Sequence, residues 1–192
     1  MRVGLIVDSA CDLPYEFSRK HDLFILPVTA VIDGQTYIDE HDPVRTQEFY
    51  QSGLLQKGHQ AETRAFTAGQ IHDLFMERIV TQFDVAICET VTKTRSLIFQ
   101  NATEAMNSVL AHYEGAREAA GRKGRFFMRV IDSKQIFAGQ GLLAAHTLKL
   151  IDQKMSKNAL RHEVETFTDK IYTCVIPRDL HYIRERARRR GD

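Results

Sequence analysis

Residues with hydroxyl or carboxylate side chains follow several of the predicted strands, at the points where those strands end. They are Asp8-Ser9, Thr63, the stretch from Thr90 to Ser96, and Asp132-Ser133. In a parallel sheet, ligands bind beyond the carboxyl ends of the strands, so these side chains are expected to share one edge. Hydroxyls near the free amides of a helix N-terminus suit an anion, and the set offers little acid-base machinery. The residue types therefore favour holding an anion over transforming one.

Two residues at the end of the first strand could act as nucleophiles. Asp8 could serve as a carboxylate nucleophile, but a site of the haloacid-dehalogenase type needs a second Asp two residues on, where the chain has Ala10. Cys11 lies beside Asp8 and Asp12, and nearby carboxylates raise the pKa of a thiol and reduce its reactivity. A small-molecule hydrolase of the doubly wound α/β class, using Asp8 or Cys11, is therefore the alternative function.

Metal and nucleotide sites are not indicated by the spacing of the residues that such sites need. The eight histidines are scattered, and no pair has the spacing of a zinc motif. Gly139-Gln140-Gly141 lacks the Lys-Ser/Thr ending of a P-loop and the further glycine of a dinucleotide fingerprint, and it better fits a close approach of helix to sheet. The three cysteines lie far apart and are expected to be reduced thiols. We expect no metal and no cofactor.

The overall charge excludes some classes of partner. The chain has 192 residues, with 26 Lys and Arg against 25 Asp and Glu, so it is neither a globally basic nucleic-acid binder nor an acidic disordered chain. It contains no apolar run of about 18 residues and no signal-peptide pattern, which predicts no membrane insertion and a cytoplasmic location. One basic stretch, from Arg184 to Arg190, interrupts the balance and could serve a regulatory interaction module.

The alternation of apolar strands and amphipathic helices indicates the fold class. Strands are predicted over residues 3–7, 84–88, 126–131 and 171–176. Residues 23–32 are predicted to form an interrupted strand, and the turn signal Asp33-Gly34 after it predicts a hairpin. Helices are predicted over residues 14–20, 46–55, 142–151 and 156–168, after the capping box of Thr67 and Gln70, from about Ile98, and from Arg178. Residues 115–124 fit an exposed linker or a frayed helix end. We expect an α/β fold with a mostly parallel sheet and helices on both faces.

Several short motifs, in order along the chain, resemble those of the DegV family of bacterial fatty-acid-binding proteins. The matching residues are Val7-Asp8-Ser9-Ala10-Cys11-Asp12-Leu13-Pro14, Ile25-Leu26-Pro27-Val28, Tyr37-Ile38-Asp39, Thr63, Ser96, Asp132-Ser133, Gly139, Gly141, Leu180, Tyr182, Ile183 and Arg188. The resemblance runs from about residue 3 to residue 188. Each motif is short, and it is the shared order and spacing that make the match specific.

Three departures from the family pattern indicate a divergent branch. Arg64, Ala65 and Phe66 follow Thr63 where the family has Ser-Gln-Pro. Leu97-Ile98 stands in place of Gly-Thr after Ser96, and Arg186-Ala187 in place of paired glycines. The ligand of this branch could therefore differ from that of other members.

The resemblance implies a fold and a ligand site. In the family, a long-chain fatty acid lies in a tunnel between two domains, and hydroxyls at the positions of Thr63 and Ser96 bind its carboxylate. A backbone amide near Leu97 and the guanidinium of Arg188 would belong to the same network. Asp8 and Ser9 are further candidates at the sheet edge, and Arg64 and Arg95 are anion partners particular to this sequence. Burial of about 14 methylenes at about 0.8 kcal/mol each would supply the affinity, about 11 kcal/mol before the costs of ordering and association.

The resemblance also implies partners and a domain division. Some members deliver the fatty acid to a separate kinase that makes an acyl-phosphate, and are carriers rather than enzymes. Members of the family continue into a second α/β domain, so residues 1–192 are expected to form the first domain, and residues 178–192 to begin the connection to the second. We then expect an acyl groove open on one side, weaker lipid affinity than in a longer protein, and self-association of the chain through exposed apolar surface.

Overall fold

The computed structural model describes residues 1–177 and 179–190. Its elements in chain order are β1 (Val3–Asp8), α1 (Tyr15–Lys20), β2 (Phe24–Leu26), β3 (Val28–Ile32), β4 (Gln35–Asp39), α2 (Pro43–Gln51), β5 (Ala61–Ala65), α3 (Ala68–Leu74), β6 (Val85–Thr90), α4 (Ile98–Ala119), β7 (Phe127–Asp132), α5 (Phe137–Asp152), α6 (Lys157–Phe167) and α7 (His181–Arg190). A π-helical turn, Phe75–Ile79, follows α3, and a 3-10 turn, Thr168–Lys170, follows α6.

The central sheet is parallel and carries helices on both faces, as the sequence predicts. Its strand order is β2-β1-β6-β7. Successive side chains of a strand point to opposite faces, so Ile6 and Cys88 pack on the side of α3 and α4, whereas Val7 and Ile87 pack on the side of α5 and α6. Because both faces are covered, β1 and β6 are buried and largely apolar up to the polar residues near their carboxyl ends.

A second sheet, antiparallel and of order β4-β3-β5, extends from the end of β2. Asp33 and Gly34, at φ 49° and 83°, form the two-residue turn between β3 and β4, as the predicted hairpin requires. Thr63 was expected in a loop, and this expectation is wrong, because residues 61–65 pair with β3 from Ala61 opposite Ile32 to Ala65 opposite Val28. The segment is polar and exposed, as an edge strand can be, which hides it from a search for apolar runs.

The strand predicted over residues 171–176 is wrong. This segment joins no sheet, and polar groups of two of its residues bond to the side chain of Gln135. Gln135 Nε2 donates to the carbonyl of Ile171 at 2.8 Å, and the hydroxyl of Thr173 donates to Gln135 Oε1 at 2.8 Å. Ile176 is 94% exposed, so the apolar run does not mark a buried strand here.

Several helix boundaries differ from those expected. Helix α4 continues through residue 119, because Arg117 is buried and donates to the carbonyls of Val80 and Phe83 at 2.9 and 2.6 Å, so the linker is shorter than 115–124. Helix α2 begins at Pro43, with Asp42 as its N-cap, and not at Thr46. Arg178, where the last helix was expected to begin, lies outside the described residues, as do Gly191 and Asp192.

Gly139 and Gly141 lie inside α5 rather than ahead of it. A Cβ on Gly141 would stand 2.7 Å from the backbone oxygen of Asp12, closer than side chains tolerate. A close approach is therefore present, but it is to the segment that follows β1 and not, as was predicted, to a strand of the sheet.

Candidate functional site

The loop between β6 and α4, residues 91–97, is held by three consecutive backbone amides. The N–H of Val91 donates to Asp8 Oδ2 at 2.5 Å, that of Thr92 to the carbonyl of Gln135 at 2.9 Å, and that of Lys93 to Asp132 Oδ1 at 3.2 Å. Asp8 and Asp132 end β1 and β7 and flank β6 in the parallel sheet. The carboxyl edge of the sheet therefore positions this β6–α4 loop, as the sequence predicts for a ligand site.

Asp8 anchors the loop from a fully buried position. Its second oxygen accepts the N–H of Ala10 at 3.0 Å. Burial raises the pKa of Asp8 to about 6, and donors at Val91, Ala10 and Gln140 together with the charge of His41 limit the rise. The carboxyl is thus mostly ionised at neutral pH, with backbone donors on both oxygens, and its role is to position the loop.

Cys11 is also fully buried. Burial and the nearby carboxylates of Glu89, Asp8 and Asp12 raise the pKa of its thiol, so the thiol stays protonated at neutral pH. Asp8 and Cys11 are both inaccessible to a substrate, so the structure does not favour the alternative function as a hydrolase.

Ser9 likewise supports the edge of the sheet. It is 6% exposed, and its hydroxyl oxygen accepts the N–H of Val28 at 3.0 Å. The carbonyl of Ser9 lies 2.6 Å from Nε2 of His41. These bonds join the end of β1 to the start of β3 and engage the polar groups of Ser9 within the protein.

Ser96 and Leu97 precede the first turn of α4. Ser96 is half-buried, and its hydroxyl oxygen accepts the N–H of Ile98 at 3.2 Å, which leaves its own proton free to donate. Leu97 takes the N-cap position, is 66% exposed, and gives the helix no side-chain cap. The first turn carries no acidic residue, so its amides offer partial positive charge to an anion.

A groove of about 610 Å³ opens beside Ser96 and Leu97. Its wall also contains Phe99 and Gln100 of α4 and, from the β6–α4 loop, Lys93. The ammonium of Lys93 lies 6.0 Å from the centre of the Phe99 ring. Sequence reasoning missed Lys93, although a lysine three residues before Ser96 in a threonine-rich loop was a visible signal.

Thr63 lies on β5, exposed, opposite Ala30 of β3. The end of this strand is tied to the start of α4, because Asn101 Nδ2 donates to the carbonyl of Phe66 at 2.7 Å. Thr63 precedes Phe66 by three residues, or about 10 Å of extended chain. The structure thus places the strand of Thr63 near the helix that Ser96 precedes, without a direct contact of the two hydroxyls among the hydrogen bonds of the described residues.

The three candidate arginines differ in their surroundings. Arg64 pairs with Glu62 of its own strand, Nε to Oε1 at 2.7 Å, and Arg188 pairs with Glu185 of its own helix at 3.0 Å. Arg95 is exposed in the β6–α4 loop, but it does not line the groove. Two of the three guanidiniums are therefore already engaged by a carboxylate.

Residues 1–177 and 179–190 contain neither a cluster of metal ligands nor a membrane-spanning helix. No group of three or more His, Cys, Asp or Glu side chains among them is placed to hold a metal ion. None of their helices combines the length and the apolar character needed to cross a bilayer.

Together, the parallel sheet, the anchored loop and the start of α4 define an α/β domain with a candidate anion site at the carboxyl edge of its sheet. The family whose sequence model matches this chain, over residues 2–189, is described as "Uncharacterised protein, DegV family". The chain belongs to the DegV family, as its motifs indicated.

Relatives and solved structures agree with this membership. A DegV domain-containing protein of Xanthomonas axonopodis pv. citri is 42% identical over 192 residues, which are 100% of this chain and 61% of that protein. A fat acid (stearic acid)-binding protein from Eubacterium ventriosum superposes with a TM-score of 0.70 at 27% identity, over 85% of this chain and 52% of that one. A DegV family protein from Ruminococcus gnavus, solved with vaccenic acid, has a TM-score of 0.77 at 16% identity over 98% and 62%. The chain therefore spans about three fifths of the length of the Xanthomonas relative.

Proposed function

We propose that this chain binds a long-chain fatty acid and acts as a carrier rather than as an enzyme. The observation that carries the proposal is the β6–α4 loop, where the hydroxyl of Ser96 and the start of α4 meet an open groove. The fatty-acid-binding protein from Eubacterium ventriosum, which has the same fold, supports it.

In the proposed site, polar groups bind the carboxylate of the fatty acid and apolar side chains contact its acyl chain. Ser96 and Thr63 donate their hydroxyl protons to the carboxylate, and the amides at the start of α4 add partial charge, with Leu97 among them. The acyl chain lies against apolar side chains of the groove, which are the exposed Leu97 and the half-buried Phe99. Arg188 and Arg64 would have to leave their present carboxylate partners to bind the fatty-acid carboxylate. Asp8 acts by holding the β6–α4 loop, and Ser9 acts by joining β1 to β3.

The test is binding of palmitate by the purified chain, measured by native mass spectrometry and titration. We expect the double variant Thr63→Ala, Ser96→Ala to lose about 100-fold in affinity, since each hydroxyl to a charged partner contributes roughly 1.5 kcal/mol and each 1.4 kcal/mol is about a factor of ten. The matched control is Thr81→Ala, Ser108→Ala, the same chemical change away from the site.

Two results contradict the proposal. One is the absence of any bound fatty acid under conditions where the chain is folded. The other is unchanged affinity in the site variant, or an equal loss in the control.

We propose further that the carrier works in the cytoplasm and presents the bound acid to a separate kinase, which would form the acyl-phosphate. An exposed head group at the mouth of the groove suits transfer of a phosphoryl group by another protein. Acyl-phosphate formation from ATP, a candidate kinase and the loaded chain would be measured, and formation at the same rate without the chain would exclude this role.

We propose that residues 1–192 correspond to the first domain of the longer relatives, with residues 178–192 leading toward the remainder. The support is the 61% coverage of the Xanthomonas relative and the exposure of Tyr172 (88%) and Ile176 (94%) just before that stretch. Such apolar surface also favours self-association, so sedimentation should show the apparent mass rising with concentration. A constant monomer mass would contradict that part.

A further inference from the structure

We propose that Lys93 selects a negatively charged head group at the β6–α4 loop. The inference rests on the proposed function and names the residue that would distinguish an ionised fatty acid from a neutral lipid of the same length. None of the family motifs in this sequence includes Lys93.

The backbone of Lys93 is fixed on both sides. Its N–H donates to Asp132, and the preceding amide, of Thr92, donates to Gln135. A turn closes behind it, where the N–H of Arg95 donates to the carbonyl of Thr92 at 2.9 Å. The side chain therefore leaves the sheet edge at a defined point.

The side chain of Lys93 reaches the groove that Ser96 and Leu97 also line. Its ammonium stands 6.0 Å from the centre of the Phe99 ring, a distance at which the face of the ring attracts a cation. An ammonium held there and a hydroxyl on the same wall can both donate to the two oxygens of one carboxylate.

The surrounding charges single out Lys93. Among residues 1–177 and 179–190, its ammonium has no carboxylate within ion-pair distance, whereas Arg64 and Arg188 are paired. Arg95 carries the same charge in the same loop but does not contribute to the groove. Glu104, about two turns of α4 after Leu97, is the one carboxylate among the residues that line the groove.

The experiment compares palmitate with hexadecanol, which has the same chain and a neutral head. Both are titrated into wild type, Lys93→Gln, Lys93→Arg, Arg95→Gln and Lys123→Gln, at low and at high salt. Lys123 is an exposed lysine in the connection between α4 and β7 and controls for the change of net charge.

We expect Lys93→Gln to weaken palmitate binding about 5-fold at low salt, to leave hexadecanol binding unchanged and to flatten the salt dependence. Lys93→Arg should restore most of the palmitate affinity, and Lys123→Gln should bind like wild type. An equal loss for both ligands would mean a structural role and would overturn the inference. So would unchanged palmitate binding, or a loss that appears in Arg95→Gln instead.

Failure of this inference and failure of the proposed function give different results. If wild type binds palmitate and Lys93→Gln binds it equally well, the carrier proposal stands and the role of Lys93 is refuted. If folded wild type binds neither ligand, both are refuted.

Discussion

Two buried carboxyl groups on neighbouring strands of one sheet have different surroundings. Asp8, at the end of β1, has backbone N–H donors on both oxygens, and its pKa rises only to about 6. Glu89, on β6, accepts one hydrogen bond, from the hydroxyl of Thr147 at 2.5 Å, and burial raises its pKa to about 8. At neutral pH, Asp8 is mostly an anion that holds a loop, whereas Glu89 is a neutral group inside the core.

The difference follows from where each side chain points. Asp8 meets the loops at the carboxyl edge, which supply free amides. The side chain of Glu89 points toward α5. There the side chain of Gln140 donates to the backbone carbonyl oxygen of Glu89 at 3.2 Å. Neither Oε2 of Glu89 nor Oε1 of Gln140 has a hydrogen-bond partner among the described residues. Loop amides therefore stabilise a buried charge that a helix face does not.

The largest effect is expected from Asp8→Ala. This change leaves the amides of Val91 and Ala10 without acceptors and opens a small cavity, so we expect the free energy of unfolding to fall by about 4 kcal/mol. Urea titration followed by circular dichroism measures it. Asp8→Asn, which keeps one acceptor oxygen, should lose less, and a loss below about 1 kcal/mol in Asp8→Ala would contradict the anchoring role.

A smaller loss is expected from Gly141→Ala, which tests how closely α5 must approach. The new Cβ would meet the backbone oxygen of Asp12 at 2.7 Å, and backbone yields little, so we expect a loss of about 2 kcal/mol. Gly115→Ala is the matched control in α4, where a Cβ meets nothing within 4 Å. Gly115→Ala should stabilise the folded protein by about 0.5 to 1 kcal/mol. If thermal melts show that both variants stabilise the protein, the close contact of α5 with Asp12 is ruled out.

The smallest of the three effects is expected from Glu89→Gln, and it depends on pH. Folding raises the pKa of Glu89 from 4.5 to about 8, so the folded state binds more protons than the unfolded state between these values. The contribution of Glu89 to stability is therefore largest below about pH 4.5 and declines as pH rises to about 8. Glu89→Gln should remove that decline, but its buried N–H₂ group would lack acceptors at a cost of a few kcal/mol, so we expect a net gain over wild type of about 1 to 2 kcal/mol at pH 8.5.

The measurement for Glu89→Gln is urea unfolding at pH 5, 7 and 8.5. Glu118→Gln, on the exposed side of α4, is the control and should leave the pH dependence as it is in wild type. Parallel stability curves for wild type and Glu89→Gln would show that Glu89 is ionised in the folded protein at neutral pH.

Much of the fold could be predicted because its signals are local. The apolar strands predicted over residues 3–7, 84–88 and 126–131, the capping box of Thr67 and Gln70 and the turn Asp33-Gly34 each appear within a few residues, and all of these are present. The predictions fail where hydrogen bonds to residues distant in sequence determine the structure of a segment. β3 recruits the polar residues 61–65 as an edge strand, and Gln135 engages the backbone at Ile171.

The candidate site shows the same division. Ser96 and Asp8 could be selected because they follow strands in the sequence. The role of Asp8 as an anchor for Val91 could not, because the two residues are 83 positions apart and only the sheet brings them together. Lys93 escaped selection because its place in the groove depends on how the loop is tied to Asp132.

By itself, the sequence determined the α/β class, membership in the DegV family and the hydroxyl-rich strand ends, since periodicity and motif order are properties of the linear chain. The tertiary structure decided which polar groups are buried and which reach a groove. It decided this because burial, and with it the protonation of Asp8 and Glu89, depends on partners that the parallel crossovers bring from distant parts of the chain.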